Sequence, residues 1–327
     1  MKKDTKLSVI IPAHNCAATL VKAVESVPNN AFVETLIIEN GSTDATLKIA
    51  QDIAEGRLNT RVLVSQPGVS MARNLGISSS RGSKILFLDA DDFFLPAIYE
   101  VSKMLPDNDL SIFSYESGSV NQKLFNRDTI YQGNELSSLI GQMLDYPTTF
   151  LTVWGKIFDT QIIKKNKLSF MTDLRLSEDS LFLIQYLSFC SRVGCYREYL
   201  YHYSRNEDST VRSFNKNSVR NYLKSLAEVK KFIQAEAVTL PKHYYKYGLM
   251  QLNLIGVHGI FDPHNPISFL RKVRLLKQTV QNPIIMECLK ETKIKDLDSI
   301  KFIAIVLIKL HLYSGAGIIF TLRNHHG

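Results

Sequence analysis

Two aspartates separated by a single residue, Asp89 and Asp91, are the sharpest chemical feature of this sequence. They follow the apolar run KILFL at residues 84–88, so they come directly after a predicted β-strand. Carboxylate oxygens are the ligands that Mg²⁺ and Mn²⁺ prefer, and a cation held there could neutralise the charge of a departing diphosphate. The pair alone is also compatible with a solvated turn that caps the segment after it.

A second acidic pair, Glu178 and Asp179, precedes an apolar stretch that has helical spacing. A carboxylate in this position could act as a general base that removes a proton from an acceptor hydroxyl. Acidic residues also cap helices, because the first helical turn leaves backbone N–H groups unpaired and carries a positive partial charge. On the residues alone, both interpretations of this pair stay open.

Several cationic and aromatic side chains are further candidates for ligand binding. Arg73 lies in the helical pattern VSMARNLGI, where it could contact an anion or remain at the surface. Trp154, the single tryptophan, lies two residues before Lys156; an indole face suits a sugar ring, and a lone tryptophan is also a common packing residue. His202 and Arg205 lie in YLYHYSR, which could form an aromatic edge with a phosphate contact. His202 as a metal ligand competes with a purely structural histidine.

The elements that must position these residues alternate between strand and helix over the first hundred residues. Strands are predicted at residues 7–11, 33–38, 61–65 and 84–88, and helices between them at residues 17–27, 43–53 and 69–79. Such alternation predicts βαβ units and a parallel sheet, in which ligands bind beyond the carboxyl ends of the strands. Residues 12–15, 39–42 and 89–91 follow three of these strands, so we expect them to meet at one edge.

Beyond residue 107 the pattern is mixed, and near residue 215 the chain becomes helical and basic. We therefore predict an α/β catalytic domain over residues 1–215 and a helical C-terminal domain over residues 216–327. The stretch at residues 300–320 is very apolar but is interrupted by lysines, a histidine and glycines. We do not expect it to span a membrane; a helix at a membrane interface and a helix that closes a core are the two alternatives.

The charge of the chain is unevenly distributed. Residues 1–150 carry 13 Lys and Arg against 17 Asp and Glu, whereas residues 151–327 carry 26 against 14, for a net charge of +8. A basic half favours contact with phosphates, anionic lipid headgroups or nucleic acid, and it is also the pattern of a solvated basic surface. Nucleic acid is not expected as a partner, because no nucleic-acid-binding module is recognisable and the strand ends are acidic.

The cysteines and the N-terminal residues bear on the compartment. The four cysteines form no C-x-x-C pair and lack zinc-ligand spacing, which favours a reducing environment. The apolar run at residues 7–11 is only five residues long and ends at Pro12, so we interpret it as a strand and not as a secretory signal. A cytoplasmic protein is therefore expected.

Taken in order, several sequence blocks resemble the family 2 inverting glycosyltransferases of bacteria, which have the GT-A fold. The blocks are SVIIPAHN, LIIENGSTDATLKIA, VSMARNLGISSSRGSKILFLDADD, VWGKIFDTQIIKKNKLSF, LSEDSLF and YLYHYSRNEDSTVRS. They lie between residues 7 and 212, and their order and spacing agree with the family. The resemblance implies an α/β fold of the nucleotide-diphospho-sugar transferase type, with a Rossmann-like, mostly parallel sheet and a helical C-terminal extension.

The resemblance also implies a role for each candidate residue. The nucleotide pocket would be formed by Pro12, His14, Asn15, Glu39, Arg73 and Asp89. Asp91 would bind Mn²⁺ or Mg²⁺, and Asp179 would be the catalytic base with Glu178 beside it. The donor and acceptor side would be formed by Trp154, Lys156, His202, Arg205 and Ser209. Two positions depart from the family, since Glu39 and Asn40 replace aspartates that are common there; Glu39 keeps the carboxylate that reads uracil but lengthens it.

The function that the resemblance implies is the transfer of a hexose or N-acetylhexosamine from a UDP-sugar to a glycan acceptor in bacterial cell-surface polysaccharide synthesis. The reaction would invert the anomeric centre and depend on a divalent metal. The C-terminal region lies outside the resemblance, and its basic, apolar composition is the basis for the hypothesis that it contacts the inner leaflet of the membrane, where a lipid-linked acceptor is presented, so the protein would be peripheral there. The alternatives are a transferase that glycosylates a protein and a non-catalytic relative that binds nucleotide sugars.

Overall fold

The computed structural model describes five stretches of the chain and divides it into two compact units. The described stretches are residues 6–118, 120–204, 217–235, 241–297 and 299–325. The first unit comprises Met1–Leu139, Thr152–Asp173 and Phe182–Asn206. The second unit comprises Ile140–Leu151, Leu174–Leu181 and Glu207–Gly327. Two short internal stretches therefore belong with the C-terminal residues.

The first unit is built on a mixed sheet of ten strands within the described residues. The strands are β1 (Leu7–Ala13), β2 (Val33–Glu39), β3 (Thr60–Val64), β4 (Lys84–Phe87), β5 (Phe93–Phe94), β6 (Leu110–Ser117), β7 (Val120–Gln122), β8 (Thr129–Gln132), β9 (Lys156–Asp159) and β10 (Arg192–Tyr203). Their order is β3-β2-β1-β4-β9-β6-β10-β5, with β7 beside β6 and β8 beside β10. The first four strands are parallel, as the sequence predicted, and β9 is inserted antiparallel between β4 and β6.

The helices alternate with the strands at first and then dominate the chain. Up to residue 187 they are α1 (Leu20–Glu25), α2 (Thr46–Glu55), α3 (Val69–Ser79), α4 (Ala97–Lys103), α5 (Gly133–Asp145), α6 (Pro147–Phe150), α7 (Thr160–Lys165) and α8 (Glu178–Leu187). Later helices are α9 (Ser218–Ala235), α10 (Pro241–Ile255), α11 (Phe269–Val280), α12 (Pro283–Glu291), α13 (Ile303–Lys309) and α14 (Tyr313–His325). A π-helical turn covers Gly256–Ile260, and 3₁₀ turns cover Ile294–Asp296 and Ile300–Phe302.

Most early elements agree with the sequence prediction, and α1 is the main exception. The helix predicted at residues 69–79 has the same limits in α3. The helix predicted at residues 17–27 begins only at Leu20, because the residues before it are held in a turn. There the backbone nitrogen of Cys16 donates to Thr46 Oγ1 at 2.8 Å, and that of Ala17 donates to Asp44 Oδ2 at 3.2 Å.

The central strands are covered on both faces. All seven residues of β1 and all seven of β2 are buried, which explains why parallel strands of this kind have nearly continuous apolar sequences. The buried carboxylate of Glu34 in β2 is satisfied by three donors. It accepts from Ser8 Oγ and from the backbone nitrogen of Arg81 at 2.5 Å each, and from the guanidinium group of Arg61 at 3.0 Å. A buried charge is tolerated here because its oxygens are hydrogen-bonded.

An aromatic cluster packs α8 onto the sheet. Phe170 and Phe182 are stacked with their ring centroids 4.1 Å apart, and both form T-shaped contacts with Phe87 in β4. One turn further along α8, Tyr186 donates its hydroxyl hydrogen to the carbonyl of Asp109 at 2.5 Å. The direction of α8 is therefore fixed by contacts to β4 and to the start of β6.

The apolar stretch at residues 300–320 folds as a helical hairpin in the second unit, made of α13 and α14. Phe320 is fully buried and packs on Phe261 with ring centroids 5.7 Å apart, and Ala304 and Ile305 are also fully buried. One face of the hairpin thus contributes to the core of this unit. Among the described helices, none has both the length and the apolar character needed to cross a bilayer.

Candidate active site

The loops after β1, β2 and β4 meet at the carboxyl edge of the parallel sheet, as the sequence predicted. The nitrogen of Asn40, directly after β2, donates to the carbonyl of Ala13 at the end of β1 at 3.0 Å. On the other side of β1, the nitrogen of Leu88 donates to the carbonyl of Ile10 at 3.0 Å. The register therefore places residues 13–16, 39–42 and 89–92 side by side.

Asn15 links the first two of these loops. Its backbone has a φ of 49°, in the left-handed region that asparagine tolerates better than most residues. Its Oδ1 accepts from the nitrogen of Thr43 at 2.8 Å, and its own nitrogen donates to Ser42 Oγ at 3.1 Å. His14, the neighbouring candidate, is exposed, whereas Pro12 is buried within β1. His14 and Asn15 are therefore the exposed residues of this group at the strand edge.

Glu39, the candidate for reading the base, is buried at the end of β2. Its Oε1 accepts from the nitrogen of Ser42 at 2.5 Å and so closes its own loop. Gly41 in this turn has a φ of 90°, and a Cβ there would lie 2.9 Å from Pro67 Cγ, so the turn needs glycine. The structure therefore gives Glu39 a role in shaping the loop that the sequence did not predict.

Arg73 and Asp89 form an ion pair at this edge. Arg73 in α3 is buried, so the alternative of a surface arginine is wrong. Its guanidinium nitrogen lies 3.1 Å from Asp89 Oδ1, and its guanidinium carbon lies 5.2 Å from the centroid of the Phe170 ring. The Asp89 side chain remains 30% exposed, so it can contact a ligand while it is paired with the buried Arg73.

Asp92 anchors the acidic turn, and sequence reasoning missed it. It is buried, and its Oδ2 accepts from the Tyr201 hydroxyl at 2.6 Å while its Oδ1 accepts from the Ser204 nitrogen at 2.7 Å. The Tyr201 oxygen in turn accepts from the Asp89 nitrogen at 3.2 Å. Burial and the nearby charge of Asp89 raise the pKa of Asp92 above the usual carboxyl range. Asp91, in contrast, is exposed.

Trp154 and Lys156 lie among the protein's own side chains. The Trp154 indole is only 8% exposed and is stacked nearly parallel to Tyr201 and Tyr203, with centroids 4.8 and 5.5 Å away. Lys156 is buried, and its ammonium donates to Thr152 Oγ1 at 3.2 Å. In this arrangement Trp154 supports the tyrosine that anchors the acidic turn. The assignment of both residues to donor and acceptor binding stays a prediction.

His202, one residue after Tyr201 and near the C-terminal end of β10, is stacked on Phe93. Its ring lies 4.2 Å from that of Phe93, and the Lys22 ammonium lies 3.6 Å from the centroid of the Phe93 ring. Nδ1 of His202 is 3.4 Å from Glu116 Oε2. His202 therefore has aromatic and carboxylate contacts of its own. Arg205 and Ser209 lie outside the described residues.

Glu178 and Asp179 form the first turn of α8, and both are half-buried. Ser177, directly before them, has a φ of 61°, and its hydroxyl donates to Gln251 Oε1 at 3.3 Å. Its carbonyl accepts from Ser225 Oγ at 3.4 Å. These bonds hold the acidic pair within the second unit. Their assignment to the catalytic base stays a prediction.

The acidic edge can be compared with the needs of a divalent cation. Within the described residues, no group of three or more His, Cys, Asp or Glu side chains is arranged to hold a metal ion. Mg²⁺, however, is commonly bound by one or two carboxylates, with water and substrate phosphates as its other ligands. The partly exposed Asp89 and the exposed Asp91 match that requirement. The residues present therefore fit a cation shared with a diphosphate, and not a closed protein site.

Known proteins resemble this chain in both sequence and fold. The family model "Glycosyl transferase family 2" matches residues 8–169. TarP of Staphylococcus aureus, a poly(ribitol-phosphate) beta-N-acetylglucosaminyltransferase, is 28% identical over 245 residues, which cover 70% of this chain and 72% of TarP. The structure of S. aureus TarS 1-349 in complex with UDP-GlcNAc has a TM-score of 0.67 at 18% identity and covers 97% of this chain and 89% of that chain.

A more distant structure has the same architecture. The mannosyltransferase PcManGT from Pyrobaculum calidifontis, solved with GDP-Man and Mn²⁺, has a TM-score of 0.50 at 13% identity and covers 98% of this chain and 88% of that chain. These likenesses establish the GT-A fold that the sequence blocks predicted, and the helical C-terminal region predicted from the sequence pattern is present. Residues 8–169 contain the strand edge with Asp89 and Asp91, and through them the chain belongs to glycosyl transferase family 2.

Proposed function

We propose that this protein transfers a hexose or N-acetylhexosamine from a UDP-sugar to a glycan acceptor in bacterial cell-surface polysaccharide synthesis. The observation that carries the proposal is the ion pair between Arg73 and Asp89, next to the exposed Asp91, at the edge where β1, β2 and β4 end. Nucleotides bind at this edge in open α/β sheets. The UDP-GlcNAc bound by TarS supports the donor class, and the poly(ribitol-phosphate) in the name of TarP supports a polymeric acceptor.

The donor site is proposed to use the exposed His14 and Asn15 directly after β1, with the buried Pro12 before them, and the loop shaped by Glu39. Arg73 contributes fixed positive charge beneath Asp89, and the charge is desolvated because Arg73 is buried. Asp89 faces the nucleotide, and Asp91 next to it would hold Mn²⁺ or Mg²⁺, which when bound supplies charge neutralisation to the leaving diphosphate. PcManGT, which was solved with Mn²⁺, supports this use of a divalent cation.

The acceptor is proposed to be activated by Asp179. Its carboxylate takes the proton of an acceptor hydroxyl while the hydroxyl oxygen attacks the anomeric carbon from the face opposite the diphosphate. The bond from that carbon to the diphosphate oxygen breaks as the new bond forms, so an α-linked donor gives a β-linked product. General-base assistance of this kind is worth ~10²–10⁴ in rate. Glu178 adds a second negative charge at the same helix terminus.

The acceptor is further proposed to be lipid-linked and presented at the inner face of the membrane. The C-terminal region supports this, because it carries 16 Lys and Arg against 7 Asp and Glu from Arg220 onward. A protein acceptor remains the competing proposal for the same chemistry. The non-catalytic alternative has less support, since both Asp91 and Asp179 are present.

The test is the release of UDP from a panel of UDP-sugars, with and without Mn²⁺ or Mg²⁺, by the wild-type protein and by Asp91→Ala. Poly(ribitol phosphate), lipid-linked glycans and peptides serve as acceptors. We expect metal-dependent release from one donor, which Asp91→Ala abolishes. Asp52→Ala is the matched control, since Asp52 is an exposed carboxylate of α2 that pairs with Lys48.

Two outcomes would contradict the proposal. GDP-sugars are added to the panel as a comparison. Release of GDP from one of them, with no release of UDP from any UDP-sugar, would show that uracil is not the nucleobase that the protein recognises. Binding of UDP-sugars without release in the presence of every acceptor would favour the non-catalytic alternative.

A further inference from the structure

The helical hairpin of α13 and α14 exposes large aliphatic side chains along one face. These residues, which we call the hairpin surface, are Ile300, Ile303, Leu310, Leu312, Ile318 and Leu322. Ile300 is 77% exposed, and Leu312 and Ile318 are more than half exposed. Single exposed apolar residues are common in soluble proteins, but a contiguous group of this size marks an interaction surface.

The helical spacing shows why these side chains share a face. In α13, Ala304 and Ile308 are buried, so Ile303 and Leu310, seven residues apart, point to the opposite side. In α14, Phe320 is buried, and Ile318 and Leu322, four residues apart, point away from it. Each helix therefore uses one face for the core of its unit and the other for solvent.

Two contacts place the outward faces of the helices next to each other. A Cβ on Gly315 of α14 would lie 3.4 Å from Leu307 Cδ1 of α13. At the other end of the hairpin, the Arg323 guanidinium donates to the carbonyl of Ile300 at 2.7 Å. Helix α14 therefore runs alongside α13 and the 3₁₀ turn before it, so the exposed aliphatic residues lie on neighbouring elements.

Helix α11 adds positive charge along the other side of α14. Phe269 of α11 lies against Gly317, since a Cβ there would be 3.2 Å from Phe269 Cζ, and the Lys277 ammonium lies 5.3 Å from the centroid of the Tyr313 ring. The next residue, Leu270, is 78% exposed and is a further exposed aliphatic residue of the second unit. The exposed cations here and beside the hairpin are Arg271, Arg274, Lys277 and Lys301.

The sequence of these three helices is one-sided in charge. No Asp or Glu occurs in α11, α13 or α14, whereas α11 alone carries four Lys and Arg. Helices that combine exposed aliphatic residues with cations and contain no carboxylates complement an anionic lipid surface: the aliphatic side chains enter the acyl boundary and the cations meet the headgroups.

We propose that the hairpin surface, flanked by the cations of α11, binds the anionic face of a lipid bilayer. The purpose of this membrane binding, which is to bring the enzyme to a lipid-linked acceptor, rests on the proposed function. Membrane binding itself requires neither a donor nor an acceptor, so it can be measured separately from catalysis.

The test is co-flotation of the full-length protein with vesicles of phosphatidylcholine alone and of equal parts phosphatidylcholine and phosphatidylglycerol. We expect binding to the anionic vesicles that weakens as salt is added. The double variants Leu310→Asp/Ile318→Asp and Arg274→Glu/Lys277→Glu should each lower the partition coefficient by about tenfold or more. Because all four positions are exposed or lie at the helix surface, the variants should keep the wild-type melting temperature.

The matched control variants make the same kinds of substitution at exposed positions of the first unit. Leu58→Asp/Met104→Asp alters exposed apolar residues of the first unit, and Lys103→Glu/Lys165→Glu alters exposed lysines there. Both should bind vesicles like the wild type. All variants should transfer the sugar to a soluble acceptor at the wild-type rate, measured as UDP release. The proposal would be overturned if the wild type left anionic vesicles unbound or if the controls lost as much binding. It would also be overturned if light scattering showed an oligomer that Leu310→Asp/Ile318→Asp dissociates, since the surface would then bind protein.

Discussion

The phenol oxygen of Tyr201 lies 2.6 Å from Oδ2 of Asp92 and 3.2 Å from the backbone nitrogen of Asp89. It therefore bridges both ends of the turn that carries Asp91. Burial raises the pKa of Tyr201 well above its usual value, so the hydroxyl keeps its proton and remains a donor to Asp92. The position of Asp91 is thus set by a residue of β10 that belongs to the core.

Removal of this hydroxyl should weaken the acidic turn without emptying the core. We expect Tyr201→Phe to lower Mn²⁺ affinity and UDP release by about 10–100-fold, the usual effect of losing a group that orients a metal ligand. Titration of activity with Mn²⁺ measures both quantities. Tyr196→Phe is the matched control, since Tyr196 also lies in β10 and its hydroxyl accepts from Asn108 at 2.7 Å. Equal losses in the two variants would mean that the hydroxyl of Tyr201 has only a structural role.

Asp179→Asn should separate catalysis from donor binding. If Asp179 is the base, turnover falls by ~10²–10⁴ while the affinity for the UDP-sugar is unchanged, because the base acts only on the acceptor. Single-turnover rates and equilibrium binding of the donor supply the two numbers. Glu178→Gln tests the neighbouring carboxylate and should have a much smaller effect. Near-normal turnover in Asp179→Asn would exclude this residue as the base.

Glu34→Gln should destabilise the first unit through the buried network under β1 and β2. The amide lacks the charge that pairs with Arg61, and its NH₂ group faces groups that are themselves donors. We expect the free energy of unfolding to fall by about 1–3 kcal/mol. Urea unfolding followed by circular dichroism measures the change. Glu100→Gln, which breaks an exposed pair with Lys103, should cost less than about 1 kcal/mol, and an equal cost would argue against the network.

Asp44→Ala should show a pH-dependent loss of stability. Hydrogen bonds, first from the Thr46 side chain and then from backbone nitrogens, lower the pKa of Asp44 in the folded protein. The ionised carboxylate therefore stabilises the fold above an aspartate's ordinary pKa of about 3.9, and this contribution disappears as the pH falls through the lower folded value. The difference in melting temperature between wild type and variant should be largest at neutral pH and should narrow in acid. A constant difference across pH would contradict this linkage.

The parallel half of the sheet could be predicted because its strands are short apolar runs separated by helical spacing. The limits of α3 and the meeting of three loops at one edge followed from this pattern. The antiparallel β9 between β4 and β6 could not, since nothing local in residues 156–159 specifies strand order. The inserted strand carries Lys156, which is why that lysine is buried.

The anchoring of the acidic turn was also beyond sequence reasoning. Asp92 looked like one more residue of an acidic run, and its partner Tyr201 lies 109 positions away along the chain. In the same way, Glu34 stands inside an apolar run, where its charge gives no sign of the arginine and hydroxyl that satisfy it. In both cases periodicity indicates which face a side chain occupies, whereas its partner depends on how distant strands are ordered.

The second unit is assembled from three separate stretches, Ile140–Leu151, Leu174–Leu181 and the residues from Glu207 onward. As the ribosome releases the chain, the first two stretches emerge before the third exists. Their leucines, among them Leu144 and Leu174, are buried in the finished protein, and we expect them to stay partly exposed until the later residues of the unit have been synthesised. A chain shortened near residue 206 would keep that exposure permanently, so trimming the C-terminal helices should yield aggregation and not a free-standing catalytic half.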